Sequence, residues 1–210
     1  DSIVILETLD DTDLVFGSTR AMSLSNDGEG IGNVTWSISS ETADCSIDSV
    51  TGELSIDSAN GGGTSCTVLA TKAADGNYDS ASDSITVNIA RADQAPFSVN
   101  DVVSLTYGST VAMGTTGGSG TGAIAWEVAD LGGAACSIGS SGVLSVDDAG
   151  EGGACSVTAT KAADDNYNEA SDSEEVTILQ ASDAIAIDAT RSEEHTSELQ
   201  SLAYLVCRLL

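Results

Sequence analysis

Basic side chains are scarce in this chain: six Lys and Arg stand against 33 Asp and Glu, a formal charge of −27 over 210 residues. Nucleic acid is excluded as a partner, because its phosphates are held by Lys and Arg. An anionic membrane surface is excluded for the same reason. Histidine occurs once, at His195, and a Ser-His-Asp or Cys-His centre needs that imidazole. Proline occurs once, at Pro96, and aromatic residues make up 4% of the chain, too few for a platform of rings that stacks on sugars. No apolar run approaches the roughly eighteen residues of a membrane helix, so no membrane insertion is expected of these residues. What is present is 22 glycines and 41% apolar residues, in an alternation too regular for a disordered chain.

The alternation belongs to an internal repeat. Thr67–Ser84 (TVLATKAADGNYDSASDS) returns as Ser156–Ser173 (SVTATKAADDNYNEASDS), an offset of 89 positions that also relates Cys66 to Cys155. Upstream, Trp36 matches Trp126, Cys45 matches Cys136, and Phe16-Gly17-Ser18-Thr19 matches Tyr107-Gly108-Ser109-Thr110. A unit of about 90 residues is the size of one β-sandwich domain. The expected organisation is a first repeat over 1–91, N-terminally truncated because Asp1 is no initiator, and a second over 92–180. Ala92–Phe97 aligns with Ala181–Ala186, so residues 181–190 read as the start of a truncated third.

The repeat stops at Thr190. Residues 191–210, RSEEHTSELQSLAYLVCRLL, are similar to the translated read-through of a sequencing-library adapter and are expected to be an artefact. A natural amphipathic helix is the alternative, with Ser192 as N-cap and Glu193 and Glu194 in the first turn. The tail holds His195 and Cys207. Without it the chain has no histidine, and its four remaining cysteines fall two to each repeat. Deleting residues 191–210 is expected to leave the melting temperature unchanged. A clear loss of stability in calorimetry would make the tail part of the fold.

Val34, Trp36 and Ile38 alternate, as do Ile124, Trp126 and Val128. Leu54 and Ile56, then Cys66, Val68 and Ala70, then Ile85, Val87 and Ile89, follow the same two-residue period. This is the pattern of half-buried strands, punctuated by glycine-rich turns such as Asn60-Gly61-Gly62-Gly63. About seven strands per unit predict an all-β fold of tandem Ig-like Greek-key sandwiches. The Trp36 and Trp126 strands, the G-x-L-S-[IV] strand, the [ST]-C-[TS]-V-x-A-T-K-A-A-D strand and the D-x-N-Y segment together resemble the bacterial Ig-like tandem repeats of large surface and secreted proteins. The resemblance covers residues 1–190. It implies units that serve as spacers in adhesins, as parts of extracellular enzymes or as binding tips.

Each unit carries two cysteines at matching places, so pairing of Cys45 with Cys66 and of Cys136 with Cys155 is expected, in an oxidising compartment. Zinc is the rival reading, a poor one with two sulfurs and no histidine; two buried free thiols are the other. Trp36 and Trp126 read as core residues, and Tyr78 and Tyr167 as packing or corner tyrosines tying a turn to the backbone. Calcium is the metal that the acidic clusters would suit: Asp10, Asp11 and Asp13, Asp75, and Asp164 with Asp165. None has EF-hand spacing, and a solvated acidic surface is the plainer reading. No other cofactor is expected.

Paired carboxylates of the glycosidase kind are the enzyme chemistry that composition leaves open, but here they recur in every repeat as turn residues. The chain is therefore expected not to be an enzyme. The reading is a structural spacer of a secreted or cell-surface adhesin-like protein. Its partners are neighbouring repeats of the same chain and, through a distal domain, an unidentified surface ligand. The alternatives are an extracellular carbohydrate- or protein-binding module, and accessory domains of an extracellular hydrolase.

Overall fold

A computed structural model describes residues 2–6 and 14–183, and the chain divides into Asp1–Gln180 and Ala181–Leu210. The expected tail and most of the expected third repeat lie outside the described residues, as do Asp10, Asp11 and Asp13.

The described residues form strands and no helix. The first sandwich contains β1 (Val4–Ile5), β2 (Leu14–Val15), β3 (Thr19–Ala21), β4 (Leu24–Asn26), β5 (Val34–Glu41), β6 (Asp44–Ile47), β7 (Glu53–Ser58), β8 (Thr64–Lys72) and β9 (Ala81–Ala90). The second repeats the series as β10 (Phe97–Val99), β11 (Ser104–Thr106), β12 (Thr110–Ala112), β13 (Thr115–Gly117), β14 (Ile124–Leu131), β15 (Ala135–Ile138), β16 (Val143–Asp148), β17 (Ala154–Lys161) and β18 (Ala170–Leu179). One layer of the first sandwich has the order β2-β9-β8-β5 and the other β3-β7-β6, with β1 paired to β4. The second sandwich has β11-β18-β17-β14, β12-β16-β15 and β10-β13. The connections β5 to β6 and β7 to β8 cross between layers, the Ig-like arrangement. Strands β2 and β9 run parallel, as do β11 and β18.

Nine strands per sandwich exceed the seven expected because two segments are each split between sheets. The first pairs with β4 as β1 and then with β9 as β2; the next pairs with β7 as β3 and then with β1 as β4. Pieces of two or three residues are too short to show a period.

The alternation sets which side chains enter the core. Along β8, Cys66, Val68 and Ala70 are buried, and Leu54 and Ile56 meet them from β7. Cys155, Val157 and Ala159 with Leu144 and Val146 do the same in the second sandwich. Trp36 is buried in the first core, and Trp126 packs half-buried against the second.

Disulfides join Cys45 on β6 to Cys66 on β8 and Cys136 on β15 to Cys155 on β17, with Cα–Cα distances of 6.5 and 6.4 Å. Each bridge links the two layers of its sandwich. The sulfurs are consumed in the bridges, which removes zinc and free thiols as readings of these cysteines.

Candidate functional site: the junction between the sandwiches

The segments that repeat most closely contain Asp75-Gly76-Asn77-Tyr78 and Asp164-Asp165-Asn166-Tyr167. Aspartate builds the turn in both. Asp164 Oδ1 accepts the amides of Asn166 and Tyr167, each at 2.9 Å, and its Oδ2 accepts the amide of Thr121 at 2.6 Å. Asp75 Oδ1 accepts Asn77 at 2.7 Å and Tyr78 at 3.0 Å, and its Oδ2 accepts Ile31 at 2.6 Å. Carboxylates bonding backbone two residues on are a standard turn device.

The Thr121 amide, followed by those of Asn166 and Tyr167, lowers the pKa of Asp164 from 3.8 to about 2. The Asn77 and Ile31 amides lower that of Asp75. A depressed folded pKa gives stability that is present above the unfolded value and lost as pH falls through the folded one. Thermal melts between pH 6 and pH 2 are therefore expected to show wild type losing stability from about pH 4 down to about pH 2. An Asp164→Asn variant, less stable at pH 6, should converge with it at the acid end. Parallel curves would remove Asp164 from the acid response.

The second of these turns docks on the first sandwich. Asn166 Oδ1 accepts the Ser58 hydroxyl and the Ala59 amide, both at 2.9 Å. The Asp165 carbonyl accepts the Gly61 amide at 2.8 Å. Linker residue Ala92 forms a parallel bridge with Tyr167, donating to the Asn166 carbonyl and accepting from the Asn168 amide, both at 2.9 Å. Gln94 Nε2 reaches the Asn168 carbonyl at 2.8 Å. Tyr167 stands edge-on to Phe16, with ring centroids 5.3 Å apart and planes at 80°. Such a pair contributes about 0.5–1.5 kcal/mol beyond its area.

Tyr167 packs, but on Phe16 at the junction, and both it and Tyr78 lie half-buried at the sandwich ends, outside both cores. The Tyr78 hydroxyl donates to Glu29 Oε2 at 3.1 Å, a side chain rather than the backbone. The reason is topological: D-x-N-Y lies in the hairpin joining the last two strands, which projects from the end of the sandwich.

Of the acidic residues suited to calcium, Asp75 and Asp164 turn both carboxylate oxygens onto backbone amides, and Asp165 is exposed. Among the described residues, the groups whose ligand atoms converge are Glu41 with Cys45 and Cys66, and Asp130 with Cys136 and Cys155. In each the two sulfurs are bonded to each other, which leaves one carboxylate. A shallow open depression at the far end of the first sandwich is lined by Ser2, Asn26, Gly28, Glu29 and Tyr78. Next to it the buried Lys72 donates to the Asp27 carbonyl. Among the described residues, no helix is long and apolar enough to cross a membrane.

No protein-family model matches the chain, and no curated protein matches it. Among solved structures it is similar to Drosophila N-cadherin EC1-4, at 10% identity and TM-score 0.32, covering 85% of this chain and 48% of that one. It is similar to human protocadherin-24 EC1-2, at 13% identity and TM-score 0.36, covering 81% of this chain and 92% of that one. A SusE-like surface-located polysaccharide-binding protein from Bacteroides thetaiotaomicron is similar at 15% identity and TM-score 0.31, covering 85% of this chain and 33% of that one. The chain thus spans about half the length of the N-cadherin fragment. At these identities and TM-scores the likeness carries nothing about ligand or partner.

Proposed function

We propose that this chain is a non-catalytic spacer: two Ig-like units of an extracellular or cell-surface adhesin-like protein, set end to end to hold a distal binding region away from its anchor. The observation that supports it is the junction, where the Asn166 side chain, the Ala92 bridge and the Phe16–Tyr167 pair fix one sandwich on the next. Short linkers with specific contacts suit a rod whose stability is shared between neighbours. Two inter-layer disulfides suit an oxidising, extracellular setting.

Backbone NMR relaxation of the full chain tests the reading. The sandwiches are expected to tumble as one elongated body, and Asn166→Ala with Tyr167→Ala to let them reorient separately while each stays folded. Because direct hydrogen bonds join the units, a chelator is expected to leave the tumbling unchanged. Independent tumbling of the wild-type sandwiches would reject the spacer. A marked loosening with chelator would return calcium to the junction.

A further inference from the structure

Each half of the junction occurs a second time in the chain. The first sandwich carries its own docking turn at Asp75–Tyr78, built by the same hydrogen bonds as Asp164–Tyr167. Asn77 is exposed where Asn166 is half-buried, and among the described residues its side chain has no hydrogen-bond partner. The second sandwich carries its own receiving end. Tyr107 takes the place of Phe16 and is 49% exposed. Ala149-Gly150-Glu151-Gly152 takes the place of Ala59-Asn60-Gly61-Gly62, and each turn is closed by a bond from its fourth residue to its first, at 3.3 and 2.9 Å.

The backbone donors and acceptors of the internal junction recur in the uncovered ends: Ala149 and Glu151 stand where Ala59 and Gly61 donate their amides, and Gly76 and Asn77 where Asp165 and Asn166 accept them. Asp148 stands where Ser58 donates to Asn166, so that one side-chain bond is not repeated.

Ile5 and Val99 are equivalent, because each donates its amide to the matching carboxylate, Asp83 or Asp172, at 2.8 Å. Seven positions separate Ala92 from Val99, and joining residue 183 of one copy to Asp1 of the next gives Ala181 and Ile5 that same spacing in the test below.

We infer that the Asp75–Tyr78 end of the first sandwich is a docking face for the Tyr107–Gly152 end of another unit of this same repeat type, bound head to tail. Asn77 Oδ1 accepts from the Ala149 amide, the Gly76 carbonyl accepts from the Glu151 amide, and Tyr78 meets Tyr107. The inference rests on the spacer reading and gives it direction: a heterologous contact that does not close on itself and propagates along one axis.

The test is a concatenated chain, residues 1–183 followed directly by a full second copy, compared with the single chain by residue-resolved hydrogen exchange. The Asp79 amide of the second copy, equivalent to Asn168, is expected to exchange about tenfold more slowly than in the single chain. Asn77→Ala in that copy should abolish the gain while leaving Asn168 protected and the melting temperature of the sandwiches unchanged. Equal exchange at Asp79 in both chains, with Asn168 protected, would overturn the docking face alone. Free exchange at Asn168 as well would overturn the spacer reading and this inference with it.

Discussion

Replacing Cys136 and Cys155 by alanine is expected to lower the stability of the second sandwich by about 3 kcal/mol, and replacing Cys45 and Cys66 to do the same in the first. The loops closed span 19 and 21 positions. Closing such loops limits the unfolded chain, and most of the effect is on that state. In a unit of some 90 residues the loss corresponds to a fall in melting temperature of roughly 10–25 °C. Cys66 and Cys155 are fully buried, so their alanine replacements also leave small cavities. Under load the effect is larger still. Residues between bridged cysteines cannot be extended, which hides about 70 Å of contour length in each sandwich at ~3.5 Å per residue. Single-molecule extension of the full chain is expected to show each unfolding step lengthen by about that amount after reduction. Steps of equal length with and without reductant would mean that the bridges do not form in the folded chain.

Much of this fold was legible because both repeats spell it. Period-two alternation marked β5, β7, β8 and β9 and their counterparts, and matched cysteines gave the pairing. The short strands were not legible, since Val4–Ile5 and Leu14–Val15 hold two residues each and are strands only through tertiary partners. The junction was missed for a different reason. Asp164-Asp165-Asn166-Tyr167 reads locally as a turn, and it is one. What makes it an interface is a partner about a hundred residues away at Ser58 and Ala59. At Asp75 and Asp164 composition counts carboxylates without showing that both oxygens accept backbone amides.

Gly142→Ala is expected to destabilise the second sandwich by about 2–5 kcal/mol, the sum of a left-handed backbone cost and an overpacking cost. Gly142 has φ +80°, and an added Cβ would lie 2.9 Å from both Nε1 and Cε2 of the Trp126 indole and 3.2 Å from the Met113 carbonyl. The glycine carbonyl also accepts the Met113 amide at 2.8 Å, so the turn cannot move off the ring without breaking that bond. Gly52 repeats the arrangement in the first sandwich. Its φ is +73°, its Cβ would fall 2.9 Å from Trp36 Nε1, and its carbonyl accepts the Met22 amide at 2.9 Å. The tryptophan strand and the hairpin glycine thus form one unit of packing, which accounts for the recurrence of both in each repeat. Gly108 separates the two costs. It too has φ +80°, but nothing lies within 4 Å of its Cβ position, so Gly108→Ala carries the backbone cost alone, about 1–2 kcal/mol. Denaturant melts of the two variants in the full chain decide the matter. A Gly142→Ala chain clearly less stable than Gly108→Ala shows that the indole needs the missing side chain, and equal losses would reduce the glycine at the tryptophan to a matter of backbone angle.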